Sequence, residues 1–224
     1  MIGRGPLHLG LAAVGIGLAC AAVRSERLVL AIRALDRRMD RDHGMFDERL
    51  ARAWTLAPRL YRGLHLRAAR DVVERVSRQD ATVLDIGTGT GDLPLLVQER
   101  LPSASVVGLE PSAALGRIAR DRGVRVLEGR AEALPLDDDS VDVVVSSLST
   151  HHWDDPAAAF AEIRRVLRPG GEGRLYDVRF GGLTAREVRL AARSAGLPAD
   201  AVDRSVLDEG LVGIRPYSVV TIRA

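Results

Sequence analysis

The chain has 224 residues, 46% of them hydrophobic and 28% charged, with a formal net charge of +2. That is enough chain for one domain with a sizeable core, and the balance excludes both a wholly disordered chain and a polytopic membrane protein. The lone cysteine, Cys20, excludes a fold stapled by internal disulfides and favours a reducing compartment. The charge is unevenly placed: residues 24–78 carry 14 Arg against 8 acids, and residues 79–224 carry 17 Arg against 22 acids. A basic segment beside an acidic one points to an anionic surface as partner of the first, either nucleic acid or the inner leaflet of a membrane.

Between Arg4 and Arg24 lie 19 residues without a charge. As a helix they would span roughly 28 Å, close to the hydrocarbon thickness of a bilayer. A cleaved signal peptide ending near Ala19, Cys20 and Ala21 and a helix buried in the domain are the alternatives, and Gly17 argues against a lipoprotein signal. Five Arg residues (Arg24, Arg27, Arg33, Arg37, Arg38) follow the stretch and only Arg4 precedes it, so the positive-inside rule leaves the rest of the chain on the cytoplasmic face. We therefore expect residues 1–24 to be a transmembrane anchor, with the protein at the cytoplasmic face of the cell membrane.

Residues 25–78 read as a basic helical segment. Leu28, Ile32, Leu35 and Met39 recur at helical spacing, and residues 46–77 continue the pattern with Pro58 and Gly63 as punctuation. Trp54, Tyr61 and His65 in this segment are the residues available to cover a site.

The character changes near residue 79. ATVLDIG is a short apolar run ending at glycine, and Asp92 to Leu101 a helix closed by Pro102. SVVGLE is a second strand, Ser112 caps a helix to Arg122, and VRVLEG is a third strand. VDVVVSSL is a fourth, followed by a helix from Pro156 to Leu167, the strand GRLYDVRF, a helix from Thr184 to Ala195, and the closing strand YSVVTIR. This alternation predicts an α/β fold over residues 79–224, a doubly wound and mostly parallel sheet with an N-terminal helical extension, binding its ligand at the carboxyl ends of the strands.

The loop after the first strand reads Asp85, Ile86, Gly87, Thr88, Gly89, Thr90, Gly91, Asp92. Alternate glycines permit positive φ and let a ligand lie against bare backbone. A dinucleotide fingerprint would place its third glycine where Asp92 stands, and the carboxylates of Asp92 and Asp85 favour a ligand with a cationic centre over a diphosphate. Glu110, ending the second strand, suits a ribose diol.

DIGTGTGD, the acid at the second strand end, GRAEALPLDDDSVDVVVSS, HHW and EIRRVLRPGG, in that order, resemble the class I S-adenosylmethionine-dependent methyltransferases, within them the branch of the ubiquinone and menaquinone biosynthesis enzymes. The resemblance covers roughly residues 60–224. It implies the seven-stranded Rossmann-like methyltransferase sheet and S-adenosylmethionine as cofactor. It implies too that Asp85, Gly87 and Gly89 border the methionine part, that Glu110 holds the ribose, that Ala131 and Glu132 lie by the adenine, and that Ser147 lines the pocket floor. Thr88, Gly91 and Pro111 complete the expected cofactor set. Arg130 departs from the family, many of whose members have Asp there to accept from the adenine amino group.

Methyl transfer from a sulfonium demands chiefly that the acceptor be held in line. Where the acceptor must lose a proton, His152, which aligns with a histidine common in the family, or its neighbour His151 is the candidate base. Packing with Trp153 is the alternative role for His152, and adjacent histidines do not make a metal site. Glu162 and Arg165 read as a surface pair. An apolar, basic segment beside a membrane favours a small amphiphilic or lipid-like acceptor, and an acidic domain without clustered aromatics argues against nucleic acid. A non-catalytic module binding S-adenosylmethionine or S-adenosylhomocysteine, and an NAD-dependent oxidoreductase, are the competing classes.

Overall fold

The computed structural model describes residue 51 and residues 58–179, 181–207 and 217–224. The expected anchor, the amphipathic stripe from Leu28 to Met39, and Trp54 lie outside the described residues. Among the described residues no helix is long and apolar enough to cross a membrane.

In chain order the elements are α1 (Pro58–Arg75), β1 (Thr82–Ile86), α2 (Asp92–Arg100), β2 (Ser105–Glu110), α3 (Ala113–Asp121), β3 (Arg125–Glu128), β4 (Val141–Ser147), a 3-10 turn (Thr150–His152), α4 (Pro156–Val166), β5 (Leu167–Val178), α5 (Ala185–Ser194), β6 (Val202–Val206) and β7 (Tyr217–Arg223). The seven strands form one sheet in the order β3-β2-β1-β4-β5-β7-β6. Strands β1 to β5 pair in parallel, and β7 is antiparallel to both of its neighbours. The chain reverses its direction of winding between β1 and β4, which opens a crevice at their carboxyl ends.

Successive side chains on a strand face opposite sides, so each strand feeds two cores. Leu84, Ile86, Val144, Leu175 and Val220 pack with Phe160 and Ile163 of α4 and Val188 of α5. Val83, Val143, Val145, Tyr176 and Val219 pack on the other side with Leu64, Ala68, Ala69 and Val72 of α1 and Leu93 and Val97 of α2. The α1 helix is thus part of the domain body. A polar tie reinforces it: Asp71, almost fully buried, accepts from Tyr176 Oη, from Arg174 at 3.1 Å and from Arg67 at 2.9 Å. One turn on, Arg75 bonds Glu172.

Three details differ from the sequence reading. Pro58 opens α1, where its missing N–H costs nothing, and Gly63 sits exposed inside the helix without breaking it, because packing outweighs a propensity deficit of about 1 kcal/mol. Arg168–Gly171, between the helix expected to end at Leu167 and the expected strand GRLYDVRF, belongs to β5, whose pairing with β4 shifts register there. The strand β6 was missed because VDRSV is an edge strand, alternating half-buried and exposed, with too little apolar character to stand out.

Candidate active site

The loop from β1 to α2 is folded by its own backbone. The N–H groups of Gly87 and Thr88 donate to Leu109 O of β2 at 2.9 and 3.0 Å, and Gly91 N donates to Thr88 O at 2.9 Å. Gly87, Gly89 and Gly91 all have positive φ, of 73, 56 and 82°. Their roles differ. A Cβ on Gly87 would lie 2.4 Å from Ser149 Cβ, and one on Gly91 2.7 Å from Val124, so these two glycines permit close packing. Nothing stands within 4 Å of the Gly89 position, so its bare backbone faces open space. Gly108, in mid-strand, makes room for Thr88, whose Cγ2 would lie 2.6 Å from a Cβ there.

Glu110 is drawn into this loop. Its Oε2 accepts from Gly89 N at 2.8 Å and its Oε1 from Ser112 N at 3.0 Å, and it is 6% exposed. The carboxylate therefore borders the open position at Gly89.

Asp85, the penultimate residue of β1, is almost fully buried, and burial pushes its carboxyl up to about 7, with the Thr88 hydroxyl opposing and the Glu110 charge adding to the rise. Asp92 behaves in the opposite way. Burial alone would raise it, but hydrogen bonds from Arg122 (3.1 and 3.0 Å) and the Thr90 hydroxyl hold it below the usual carboxylate range. The expected field of two bare carboxylates is thus corrected: Arg122 neutralises Asp92, and Asp85 remains as the group that a cationic ligand would drive to ionise.

Across the crevice, β4 ends at Ser147, whose hydroxyl is buried and makes no hydrogen bond among the described residues. Leu148 follows with φ 58°, a left-handed conformation that is strained for a bulky side chain. That turn swings Ser149 back beneath the glycine loop, where its Oγ donates to Ile86 O at 3.1 Å and receives Trp153 Nε1 at 3.2 Å. The 3-10 turn then sets His151 against the end of β5. His151 Nδ1 lies 3.0 Å from both oxygens of Asp177, and His151 N donates to the same carboxylate at 3.1 Å. Thr150 Oγ1 and Val178 N also donate to it. Burial would raise the Asp177 carboxyl, but the neighbouring His151 charge and these hydrogen bonds hold it below the usual range. The His152 ring lies against that of His151, centroids 4.1 Å apart.

The α1 helix runs antiparallel to β5: Arg75 meets Glu172 near the start of the strand and Asp71 meets Tyr176 near its end. The first turns of α1 therefore reach the carboxyl ends of the strands. Tyr61 is there, its hydroxyl pushed up by burial and by the charges of Tyr217 and Asp177. His65 is a turn further on, lowered by burial against an opposing pull from Asp92. Of the three residues expected to cover the site, Tyr61 and His65 are thus on the part of α1 that reaches it, and Trp54 lies outside the described residues.

The remaining expected residues have other contacts. Pro111 is exposed, and Ala131 is buried in the same core cluster as Leu109. Glu132 is committed to the N–H groups of Asp154 and Asp155 at 2.8 and 3.3 Å, and Arg130 pairs with Asp154 at 2.8 Å. Glu162 and Arg165 are more than a surface pair: Glu162 accepts from Leu134 N, and Arg165 donates to Leu134 O and Leu136 O, which clamps the loop before β4. Asp177, Ser149, Leu148 and Gly108 were missed. Leu148 carries no sequence signal, whereas a glycine in the middle of an apolar strand, as at Gly108, marks a close approach. Among the described residues no three His, Cys, Asp or Glu side chains group as a metal site.

Residues 84–174 match the family model described as a methyltransferase domain. A demethylmenaquinone methyltransferase of Thermus thermophilus is 39% identical over 134 residues, 57% of this chain and 61% of that one. A malonyl-(acyl-carrier protein) O-methyltransferase of Methylococcus capsulatus is 37% identical over 119 residues, 51% of this chain and 42% of that one. The chain thus spans less than two thirds of the length of these curated relatives. In fold it is similar to a S-adenosylmethionine-dependent methyltransferase of Aquifex aeolicus, with a TM-score of 0.56 at 22% identity over 80% of this chain and 98% of that one. The residues present suit that cofactor: open backbone at Gly89, an acid at the end of β2 for a diol, a buried carboxyl at Asp85 for a cation, and an orphaned hydroxyl at Ser147.

Proposed function

We propose, on the premise that residues 84–174 belong to the class I S-adenosylmethionine-dependent methyltransferases, that this protein transfers the methyl group of S-adenosylmethionine to a small amphiphilic or lipid-like acceptor. The observation that carries the reading is the joint at Gly89, where an open, positive-φ backbone meets the Glu110 carboxylate at 2.8 Å. A bound sulfonium supplies an electrophilic methyl carbon. The chain supplies position: Glu110 would accept the ribose hydroxyls, Gly87 to Gly89 would lie against the methionine part, and Asp85, ionised, would face positive charge. Tyr61 and His65 of α1 would exclude water from the mouth.

The acceptor class rests on the sequence and on the geometry of α1. The first turns of α1 lie at the mouth, and upstream of it in the sequence are the 19 uncharged residues and the Arg-rich segment. An anchor there would hold the protein at the cytoplasmic face of the membrane, where an apolar acceptor is dissolved and the methyl donor is made. Two measurements test the reading. Titration calorimetry should give micromolar binding of S-adenosylhomocysteine and none of NAD, and the reverse result would end it. Full-length protein should resist high-salt and carbonate extraction from membranes, and release by salt alone would remove the anchor.

A further inference from the structure

Two side chains at the mouth carry polar ends that the fold itself does not use. Tyr61 stands in the first turn of α1, and Tyr217 opens β7 opposite Val178, the last residue of β5. Alternate residues of a strand share a face, so Tyr217 lies on the same side of the sheet as Val219, the side that α1 covers. There Tyr217 and Leu148 both pack against the cluster that holds Leu64 of α1 and Leu207. Burial raises both phenols, and the charges of Tyr217 and Asp177 raise Tyr61 further, so the two rings lie within each other's field and titrate above the ordinary range. Each side chain is half-buried, yet neither hydroxyl bonds to another described residue. The chain has one further tyrosine, Tyr176, and its hydroxyl is spent on Asp71. A phenol taken partly out of water without a partner costs the fold stability, so this pair serves something other than the fold.

Resting on the methyltransferase reading, we propose that Tyr61 and Tyr217 form a polar subsite for the acceptor, both donating to one uncharged carbonyl oxygen on an otherwise apolar molecule. A carbonyl oxygen has two lone pairs, one for each phenol, and a phenol that keeps its proton is a donor. The surrounding charges select an uncharged group. The field of Asp177, felt at Tyr61, opposes a carboxylate or phosphate there. Arg204 of β6, in the field of the same aspartate, spends its guanidinium on Leu183 O, Arg179 O and Ser218 Oγ. An ammonium group is served no better, because Asp177 is buried and already accepts from Thr150 Oγ1, His151 N and Val178 N. The apolar part of the acceptor would rest against Leu148, whose N–H bonds Tyr176 O at 2.8 Å and so is fixed beside β5. Since one phenol comes from α1 and the other from β7, the subsite exists only while α1 is docked.

The test uses the full-length chain labelled with 3-fluorotyrosine, whose three fluorine signals are assigned by Tyr61→Phe, Tyr176→Phe and Tyr217→Phe. With S-adenosylhomocysteine bound, 1-tetralone, an apolar ring system with one carbonyl, is titrated in. The Tyr61 and Tyr217 signals should shift together while that of Tyr176 stays. Tyr61→Phe and Tyr217→Phe should each weaken tetralone binding about 2- to 10-fold, the worth of one neutral hydrogen bond. Naphthalene, which has no oxygen, should be indifferent to both substitutions, and 1-naphthoate should bind more weakly than tetralone. Because neither hydroxyl bonds to the fold, both variants should keep the wild-type denaturant midpoint and S-adenosylhomocysteine affinity, which a structural role would move. Tetralone binding that leaves the two signals in place, an equal loss for naphthalene, tighter binding of naphthoate, or no binding of tetralone overturns the subsite and leaves the methyltransferase reading standing. Failure of S-adenosylhomocysteine to bind the wild-type chain would fell that reading, and the subsite with it.

Discussion

The two walls of the crevice are built differently. The donor wall, from Asp85 to Glu110, is mostly backbone: three glycines at positive φ, their N–H groups bonded to Leu109, Thr88 and Glu110. The facing wall, which we propose meets the acceptor, is made of side chains from separate elements, with Tyr61 on α1, His151 after β4, Asp177 on β5 and Tyr217 on β7. A backbone wall tolerates no added side chain but depends little on which residues surround it. A side-chain wall can be re-specified one residue at a time.

The largest test of that contrast is Gly89→Val. The branches would fill the open volume and resist φ 56°, so S-adenosylhomocysteine binding should vanish in calorimetry while the denaturant melt stays cooperative. Loss of both would show that the walls are not separable.

Next in size is Asp85→Asn. A carboxyl held near 7 keeps its proton in the fold while the unfolded chain has released it from about pH 4 upward. The native state therefore loses stability as pH rises from about 4 to 7, and the loss is complete above that, at most about 4 kcal/mol. The variant should be the more stable protein at pH 8 by up to that amount, match the wild type below pH 4, and bind cofactor more weakly. Denaturant melts across this range check it, and a constant difference would mean that Asp85 titrates normally.

Glu110→Ala sharpens the comparison further. Cofactor affinity should fall roughly 10- to 100-fold, the worth of about 1.5 to 3 kcal/mol in charge-assisted hydrogen bonds. Because Gly89 N and Ser112 N also lose their acceptor, the apo protein should lose about 1 to 3 kcal/mol, so this residue is structural and functional at once. Unchanged stability would show that water replaces it freely.

The smallest effect is expected outside the crevice, in Tyr176→Phe. It removes one buried donor to Asp71 while Arg174 and Arg67 remain, so stability should drop by about 1 to 2 kcal/mol with cofactor affinity unaltered.

What the sequence revealed follows the same division. Asp85, Gly87 and Gly89 are neighbours in the chain, and Glu110 is one βα unit away, so local spacing and the family pattern were enough to find them. Asp177 was not legible, because it meets His151 only when β5 pairs beside β4, and nothing in GRLYDVRF singles out that aspartate. The parallel core strands were readable from their apolar runs, while β6 was not, because an edge strand carries charge on both faces. The open carboxylates expected in the loop were half right for a similar reason: the Arg122 that neutralises Asp92 lies 30 residues further along and arrives only through the packing of α3.

The docking of α1 sets where the molecule can be cut. The stretch matched to the methyltransferase domain starts at residue 84, and a boundary near residue 79 suggests itself from the change in sequence character. A fragment starting there would strip Leu64, Ala68, Ala69 and Val72 from one face of the sheet and leave Arg174 and Tyr176 turned toward a vacated groove without their aspartate. Such a piece would be sticky rather than modular, burying its bared sheet against another copy. The smallest divisible unit of this protein therefore includes Pro58–Arg75, and the same helix brings with it Tyr61 and His65 at the mouth.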